Sequence, residues 1–241
     1  MRYRLGERSA RLSYLLPAGR LVDHAPDSLL EGLAFQAGEW GAFHLLAEIE
    51  EHAPAFETLR RTGFAVVTWQ RVWQIDTALE TNPTVSSFWQ GASPLDDISI
   101  RNLYQSLVPP LVQSAEALST AHLQGMIYYQ GDEIFGYVDI AQGPRGVYLL
   151  PLIHPTVDNV MDLLRDLIRR LSPRQGRPIY LAVRSYQSWL EGTLEELGAQ
   201  PGQRQALLVK HLAAVQRVLA TNRRVVIEGA KAEPTAPITN S

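Results

Sequence analysis

The chain contains no cysteine, and this absence removes several classes of chemistry at once. Disulfide frameworks, thiolate metal sites and a cysteine nucleophile are all excluded. The chain also lacks a cationic excess, because 22 Lys and Arg residues stand against 25 Asp and Glu residues and the pI is about 6.1. The chain therefore has no excess of positive charge that would attract a nucleic acid, and we expect no nucleic-acid partner.

Long apolar runs are also missing from the 241 residues. No stretch approaches the ~18 apolar residues of a membrane-spanning helix. The N-terminal MRYRLGERSARLS has no apolar signal core. We therefore expect a cytoplasmic protein with no membrane contact. The six histidines include no pair at the i, i+4 spacing of a helical metal site, so we predict no metal.

The best-defined stretch of the sequence is Gly146 to Leu171. Val147 to Leu150 is apolar on both faces, which is typical of a strand covered on both sides. A helix follows, with apolar residues at three- and four-residue spacing: Val157, Val160, Leu163, Leu164, Leu167, Ile168 and Leu171. The charged residues fall on the other face: Asp162, Arg165, Asp166, Arg169 and Arg170. A second strand at Pro178 to Val183 completes a parallel crossover unit.

The same unit recurs, less clearly, near the N-terminus. YLLP occurs at 14–17, within a predicted strand from Leu12 to Pro17, and again at 148–151, an offset of 148 − 14 = 134. Leu45-Leu46-Ala47 matches Tyr180-Leu181-Ala182, and LRRTGF at 59–64 matches LEELGA at 194–199, both with an offset of 135. We interpret the three matches as an internal duplication. The alternative is that crossover units resemble one another in general.

The duplication divides the chain into segments. Residues 1–75 form a partial first domain, and residues 76–94 form a linker in which Phe88 and Trp89 should nevertheless be anchored. Residues 95–218 form a second domain. Residues 219–241 form a tail, expected to be disordered from its composition.

The second copy resembles the GNAT superfamily of acyl-CoA-dependent N-acetyltransferases. PLDDISIRNLYQSLVPPLVQSAE is similar to the family's two opening helices, and QGMIYYQGDEIFGYVDIA is similar to its antiparallel hairpin. LLPLIHP resembles its cofactor strand, and LEELGA and LRRTGF resemble the end of its last helix. The resemblance implies an α/β fold with a mixed (α+β) sheet: an incomplete N-terminal GNAT-like copy followed by a near-complete C-terminal copy.

The resemblance also implies a cofactor, acetyl-CoA or another acyl-CoA. In this family the pyrophosphate rests on backbone amides at the turn before the central helix. The matching positions here are Leu152, Ile153, Thr156, Val157, Asn159 and Val160. The family pattern, Gln/Arg-x-x-Gly-x-Gly/Ala, is absent: HPTVDNV contains no glycine and no arginine. Asp158 adds a carboxylate, which would cost about 4 kcal/mol at ~4 Å from a phosphate charge at an effective dielectric of ~20. In the first copy, Gly19 and Arg20 are present at the wrong spacing.

The catalytic residues that the resemblance implies are incomplete. The family's tyrosine acid lies four residues before the glycine that ends the last helix, where this chain has Leu59 and Leu194. Tyr186 is the nearest substitute. The candidates for a general base are Glu133 and Asp139 on the hairpin, although solvated surface carboxylates would look the same.

Two functions therefore stay open. The first is a GNAT-like N-acetyltransferase that transfers an acyl group from acyl-CoA to an unknown small-molecule or peptide amine. The second is a non-catalytic GNAT-fold binding or scaffold protein with a degenerate CoA loop. We also consider a homodimer as a partner.

Overall fold

The computed structural model describes residues 1–4, 7–13, 25–75, 87–118, 123, 125–171 and 177–212. The strands of the described chain are β1 Ser9–Arg11, β2 His44–Glu50, β3 Ala65–Ile75, β4 Trp89–Gly91, β5 Gly125–Gln130, β6 Glu133–Gly143, β7 Gly146–Ile153, β8 Ile179–Arg184 and β9 Gln200–His211. The helices are α1 Ala25–Glu39, α2 Pro54–Arg61, α3 Asp97–Leu107, α4 Pro110–Ala115, α5 Val160–Leu171 and α6 Leu190–Glu196.

The described strands form one mixed sheet in the order β1-β2-β9-β3-β8-β7-β6-β5-β4. Two neighbouring pairs, β1 with β2 and β7 with β8, are parallel, and the other pairs are antiparallel. Each parallel pair is joined through a helix, α1 or α5, as crossover connections require. The predicted mixed α/β sheet is therefore confirmed.

The two halves of the chain interleave in this sheet. β3, the last strand of the first half, lies between β8 and β9, while β9, the last strand of the second half, lies between β2 and β3. At the centre of the β3–β9 ladder, Gln70 is paired with Gln205, and the Gln70 side-chain amide donates to Gln205 Oε1 at 2.8 Å. Their separation, 205 − 70 = 135, equals the repeat offset. A pseudo-twofold axis therefore passes through this pair of glutamines.

The ends of α2 and α6 repeat the same glycine conformation and the same hydrogen bond. Gly63 after α2 and Gly198 after α6 both have positive φ, 88° and 75°. The amide of Phe64 donates to Leu59 O at 3.0 Å, and the amide of Ala199 donates to Leu194 O, also at 3.0 Å. These are matching glycine-dependent helix caps, 135 residues apart. The duplication predicted from the sequence is confirmed.

The first parallel strand differs from its predicted position. β1 is Ser9–Arg11, and Leu12 and Ser13 lie beyond it, while the predicted strand at 14–17 falls outside the described residues. Ser9 faces His44 in the register in which Val147 faces Ile179. The first-strand offset is thus 147 − 9 = 138, whereas the second-strand offset is 179 − 44 = 135. The local likeness of two YLLP segments had suggested the wrong alignment, because sheet pairing and not letter identity sets the register.

Helices cover both faces of the sheet. α5 and α6 pack on Leu149, Ile153, Leu181 and their neighbours, and α1 and α2 pack on the same face around Leu45. α3 and α4 cover the opposite face, where their apolar side chains meet β5, β6 and β7. Side chains alternate between the faces of a strand, so β6 and β7 contribute to both cores, Val138 and Leu149 to one and Tyr137 and Leu152 to the other.

One charged residue of α5 is not on the solvent face, contrary to prediction. Asp166 is buried, and its Oδ2 accepts the amides of Phe88 at 2.8 Å and Trp89 at 3.2 Å. The Trp89 indole donates to Leu163 O at 2.8 Å. The anchoring expected for Phe88 and Trp89 is confirmed, and β4 lies within the segment predicted as a linker. The domain boundaries themselves stay predictions.

None of the described helices has the length and apolar character needed to cross a membrane.

Candidate functional site

The parallel strands β7 and β8 separate after half their length. Their paired residues end at Leu149 and Leu181, whereas β7 continues to Ile153 and β8 to Arg184. The amide of His154 donates to Phe135 O on β6, so the alternate residue Ile153 presents its amide towards β8. The Pro151 carbonyl and the Ile153 amide of β7 therefore face this V-shaped opening and are not bonded to β8.

The side chain of Gln187 fills the opening. Its Oε1 accepts the Ile153 amide at 2.8 Å, and its Nε2 donates to Pro151 O at 2.8 Å. Gln187 ends the short 3₁₀ turn that follows β8, and it is only 2% exposed. Pro151 contributes no N–H of its own to the gap. The β7 groups that an extended ligand could use are therefore already paired inside the protein.

The turn before α5 contains the remaining predicted cofactor residues. The Val157 amide donates to His154 O at 3.1 Å, and His154 Nδ1 lies 2.7 Å from Thr156 Oγ1. Leu152 is paired with Tyr137 in the β6–β7 ladder. Ile153, Leu152 and Val157 therefore use their backbone groups within the fold.

The start of α5 is the part of the predicted cradle that stays open. The amides of Asn159 and Val160 make no hydrogen bond within the described part of the chain, as is usual for the first amides of a helix. The Asn159 side chain donates to Asp162 at 2.7 Å, and Asp158 is exposed beside it. Two carboxylates thus flank the helix start, and among the described residues the cation paired there is Arg165, which lies 3.4 Å from Asp162. This turn does not fit an anionic diphosphate.

The three catalytic candidates lie in two places. Glu133 is exposed at the hairpin end of β6, paired with Gln130. Asp139 is six residues further along β6, which at ~3.4 Å per residue puts them roughly 20 Å apart. Asp139 and Tyr186 both lie within electrostatic reach of Glu116. Glu133 is therefore remote from Asp139, and the charge of Glu116 acts on both Asp139 and Tyr186.

Desolvation raises the pKa of both Asp139 and Tyr186. Asp139 is exposed, but its carboxyl is partly desolvated, and this raises its pKa above that of an ordinary aspartate; nearby Glu116 adds to the rise. Burial likewise raises the pKa of Tyr186 to about 12, against the opposing effect of Arg184. Tyr186 is therefore a protonated phenol at neutral pH, which is the state that a proton donor needs. The pairing of roles stays a prediction.

An ion-pair cluster around the buried Arg184, missed at the sequence level, lies on the α3–α4 face of the sheet. We call it the Arg184 cluster: Arg11, Glu48, Glu116 and Arg184. Arg184 Nη2 lies 2.8 Å from Glu116 and 3.4 Å from Glu48. Arg11 pairs with Glu48 at 2.9 Å and also with Glu116. These residues come from β1, β2, β8 and the end of α4, so both halves of the chain contribute.

Electrostatic attraction dominates within the Arg184 cluster. Burial favours the neutral form of Glu116, but Arg184 and Arg11 outweigh it and hold the pKa of that carboxyl below its usual range. Arg184 is 2% exposed, and its Nε and Nη1 have no hydrogen-bond partner among the described residues. The available sequence signal was a single charged residue in each of two apolar strand segments, Glu48 in HLLAE and Arg184 in IYLAVR.

The first half has a cleft at the equivalent end of its parallel strand pair. The β1–β2 pairing ends at Arg11 and Leu46, followed by a hydrogen bond from the Leu12 amide to Leu46 O, and a cavity of about 480 Å³ lies beside it. Its lining is Arg2, Arg11, Leu12, Ser13, Leu46, Ala47, Glu48 and Gln205. The residue that corresponds to Gln187 by the offset of 135 is His52, which is exposed. No side-chain plug of the Gln187 kind therefore closes the cleft within the described residues.

Comparison with known proteins gives the fold. No family model and no curated protein matches the chain. Among solved structures, a GCN5-related N-acetyltransferase from Kribbella flavida matches at 12% identity and a TM-score of 0.52, over 79% of this chain and 77% of that one. A conserved protein of unknown function from Staphylococcus epidermidis matches at 12% identity and a TM-score of 0.52, over 82% and 90%. A tandem GNAT protein from the clavulanic acid pathway matches at 14% identity and a TM-score of 0.48, over 86% and 76%.

The chain has the GNAT fold, so the resemblance stated from the sequence is confirmed at the level of fold. Identities of 12% carry no substrate and no reaction to this chain.

Proposed function

We propose that this chain is a GNAT-fold binding protein whose second half does not carry out acyl transfer. One observation carries the proposal: Gln187 occupies the β7 backbone groups at Pro151 and Ile153 that face the strand opening. An extended amide ligand would have to displace two buried hydrogen bonds before it made its own. The leucine at position 194, in place of the family's tyrosine acid, agrees with this reading.

The ligand of such a protein would enter the first-half cleft. A volume of about 480 Å³ lies within the range of small-molecule sites. Its polar lining combines cationic Arg2 and Arg11 with Glu48 and Gln205, which suits a small zwitterionic or hydrogen-bonding molecule. The predictions of an amine substrate and a homodimer stay untested.

Acyl transfer is the second candidate, and the open cleft is the observation that favours it. The pairing of β1 with β2 ends as that of β7 with β8 does, and no side chain among the described residues plugs the cleft beside it. Acetyl-CoA or another acyl-CoA would then act in the first half, on a small-molecule or peptide amine. The Asn159 and Val160 amides of the second half would play no part.

Acetyl-CoA titration followed by thermal unfolding separates these functions. A ligand at ~100 times its Kd stabilises by about 2.7 kcal/mol. For a protein of this size that is a rise in Tm of about 5 to 11 °C. We expect no rise at about 1 mM acetyl-CoA. Ser13→Trp, which fills the first-half cleft, is the matched variant.

A rise in Tm that Ser13→Trp abolishes would place acyl-CoA in the first half, which the second candidate requires. A rise that survives Ser13→Trp would mean that the second half binds acyl-CoA, and the proposal would be wrong. In the first case, release of free CoA from acetyl-CoA on addition of amines measures the transfer itself.

A further inference from the structure

Two histidines that are far apart in the sequence face each other across the β2–β9 ladder. His44 is the direct partner of His211 in the antiparallel register. The ring centroids are 5.0 Å apart and the rings are nearly perpendicular, at 79°. His211 is exposed, and His44 is half-buried. This pair joins the first strand-helix unit to the last strand of the second half.

The distance between the rings suits a shared metal ion. Imidazole nitrogens bind Zn²⁺ at about 2.0 to 2.1 Å, and each ring centre lies roughly 1.1 Å behind its nitrogen, so two rings on a tetrahedral ion have centres about 5.2 Å apart. The observed 5.0 Å between ring centroids is compatible with such an ion. Edge-to-face packing of two rings gives the same spacing, so the distance permits a shared ion, and the unpartnered nitrogen of His44 is what points to one.

One polar atom of the pair is unexplained by the fold. His44 Nδ1 is buried and has no hydrogen-bond partner among the described residues. A buried polar atom without a partner costs free energy that a ligand can recover. Imidazole nitrogen prefers the borderline ions Zn²⁺, Cu²⁺ and Ni²⁺ over the oxygen-seeking Mg²⁺ and Ca²⁺.

We propose that His44 and His211 form a two-histidine site for a divalent transition-metal ion. The part of the chain that the structure describes has no cluster of three or more histidine or carboxylate ligands, so water or a solute completes the coordination. Water or a solute would reach the ion from the side of the exposed His211 ring, because His44 is half-buried and its Nδ1 is buried. Arg8 lies close enough to repel positive charge at His44, which weakens the site without blocking it.

Calorimetric titration of the full chain with ZnCl₂ tests the proposal, with MgCl₂ as the ion that should not bind. We expect one Zn²⁺ per chain and a loss of affinity of about tenfold or more in His211→Ala. Because His211 is exposed, this variant should keep its Tm in metal-free buffer. His52→Ala, which removes an exposed histidine of the same half, is the matched control and should bind Zn²⁺ like the wild type.

A second variant distinguishes metal binding from simple histidine packing. Arg8→Ala removes the repelling charge and should tighten Zn²⁺ binding. If the histidine pair were purely structural, Zn²⁺ binding would change neither in Arg8→Ala nor in His211→Ala. No Zn²⁺ binding by the wild type, or equal binding by the wild type and His211→Ala, would overturn the proposal. Loss of binding in His52→Ala alone would overturn it as well.

Discussion

Gln187 should behave as a structural plug whose removal destabilises the protein measurably. Gln187→Ala leaves the Ile153 amide and the Pro151 carbonyl without partners in a region that is almost fully buried. Each unpaired group costs about 1 to 3 kcal/mol, so the free energy of unfolding should fall by about 2 to 6 kcal/mol if no water molecule replaces the lost side chain. At ~2 to 4 °C per kcal/mol, Tm should fall by at least about 4 °C.

Gln187→Glu gives a sharper test. The glutamate side chain has the shape of glutamine and can still accept the Ile153 amide, but when ionised it cannot donate a hydrogen bond to Pro151 O. Burial raises the pKa of the new carboxyl above its unfolded value. A raised folded-state pKa contributes stability below the unfolded pKa, about 4.3, that is lost as pH rises through the folded value. Gln187→Glu should therefore approach the wild type near about pH 4 and fall behind it at neutral pH.

Chemical denaturation across pH measures both variants, with Gln203→Ala as the matched control at an exposed glutamine. The control should stay within about 0.5 kcal/mol of the wild type. The argument that Gln187 closes the strand opening would be refuted by either of two results. One is a loss of unfolding free energy in Gln187→Ala as small as that in Gln203→Ala. The other is a stability of Gln187→Glu that falls further below the wild type as the pH is lowered.

Two further predictions concern the caps and the ion pairs. Gly63→Ala and Gly198→Ala should each cost about 1 kcal/mol in urea unfolding, because both need positive φ although a Cβ would meet no atom within 4 Å. Gly192→Ala, within α6, should instead stabilise by about 0.5 to 1 kcal/mol, and a uniform response of all three would contradict the cap assignment. Arg184→Met should cost about 3 to 5 kcal/mol at neutral pH. Since the pKa of Glu116 is depressed, the difference from the wild type should shrink as pH falls below about 4, and a constant difference would refute the pairing.

The candidate site was only partly accessible from the sequence. The hairpin and turn motifs identified the right strands, and the missing glycine and arginine in HPTVDNV predict a poor diphosphate turn. Gln187 was not recognised, because one glutamine after an apolar strand is an unremarkable letter. Its importance depends on the divergence of β7 and β8, which is a property of the sheet.

Local pattern by itself determined the repeated units: apolar stripes made the helices, and Gly63 and Gly198 ended two of them, because those effects act within a few residues. Only the tertiary structure decided how the halves combine. The tertiary structure places β9 of the second half beside β2 and β3 of the first half, and β3 beside β8. It also brings together Arg11, Glu116 and Arg184. It also set His44 against His211. Hydrogen-bonded strand pairing joins residues more than 100 positions apart, and no periodicity within a segment encodes which distant strand will be its neighbour.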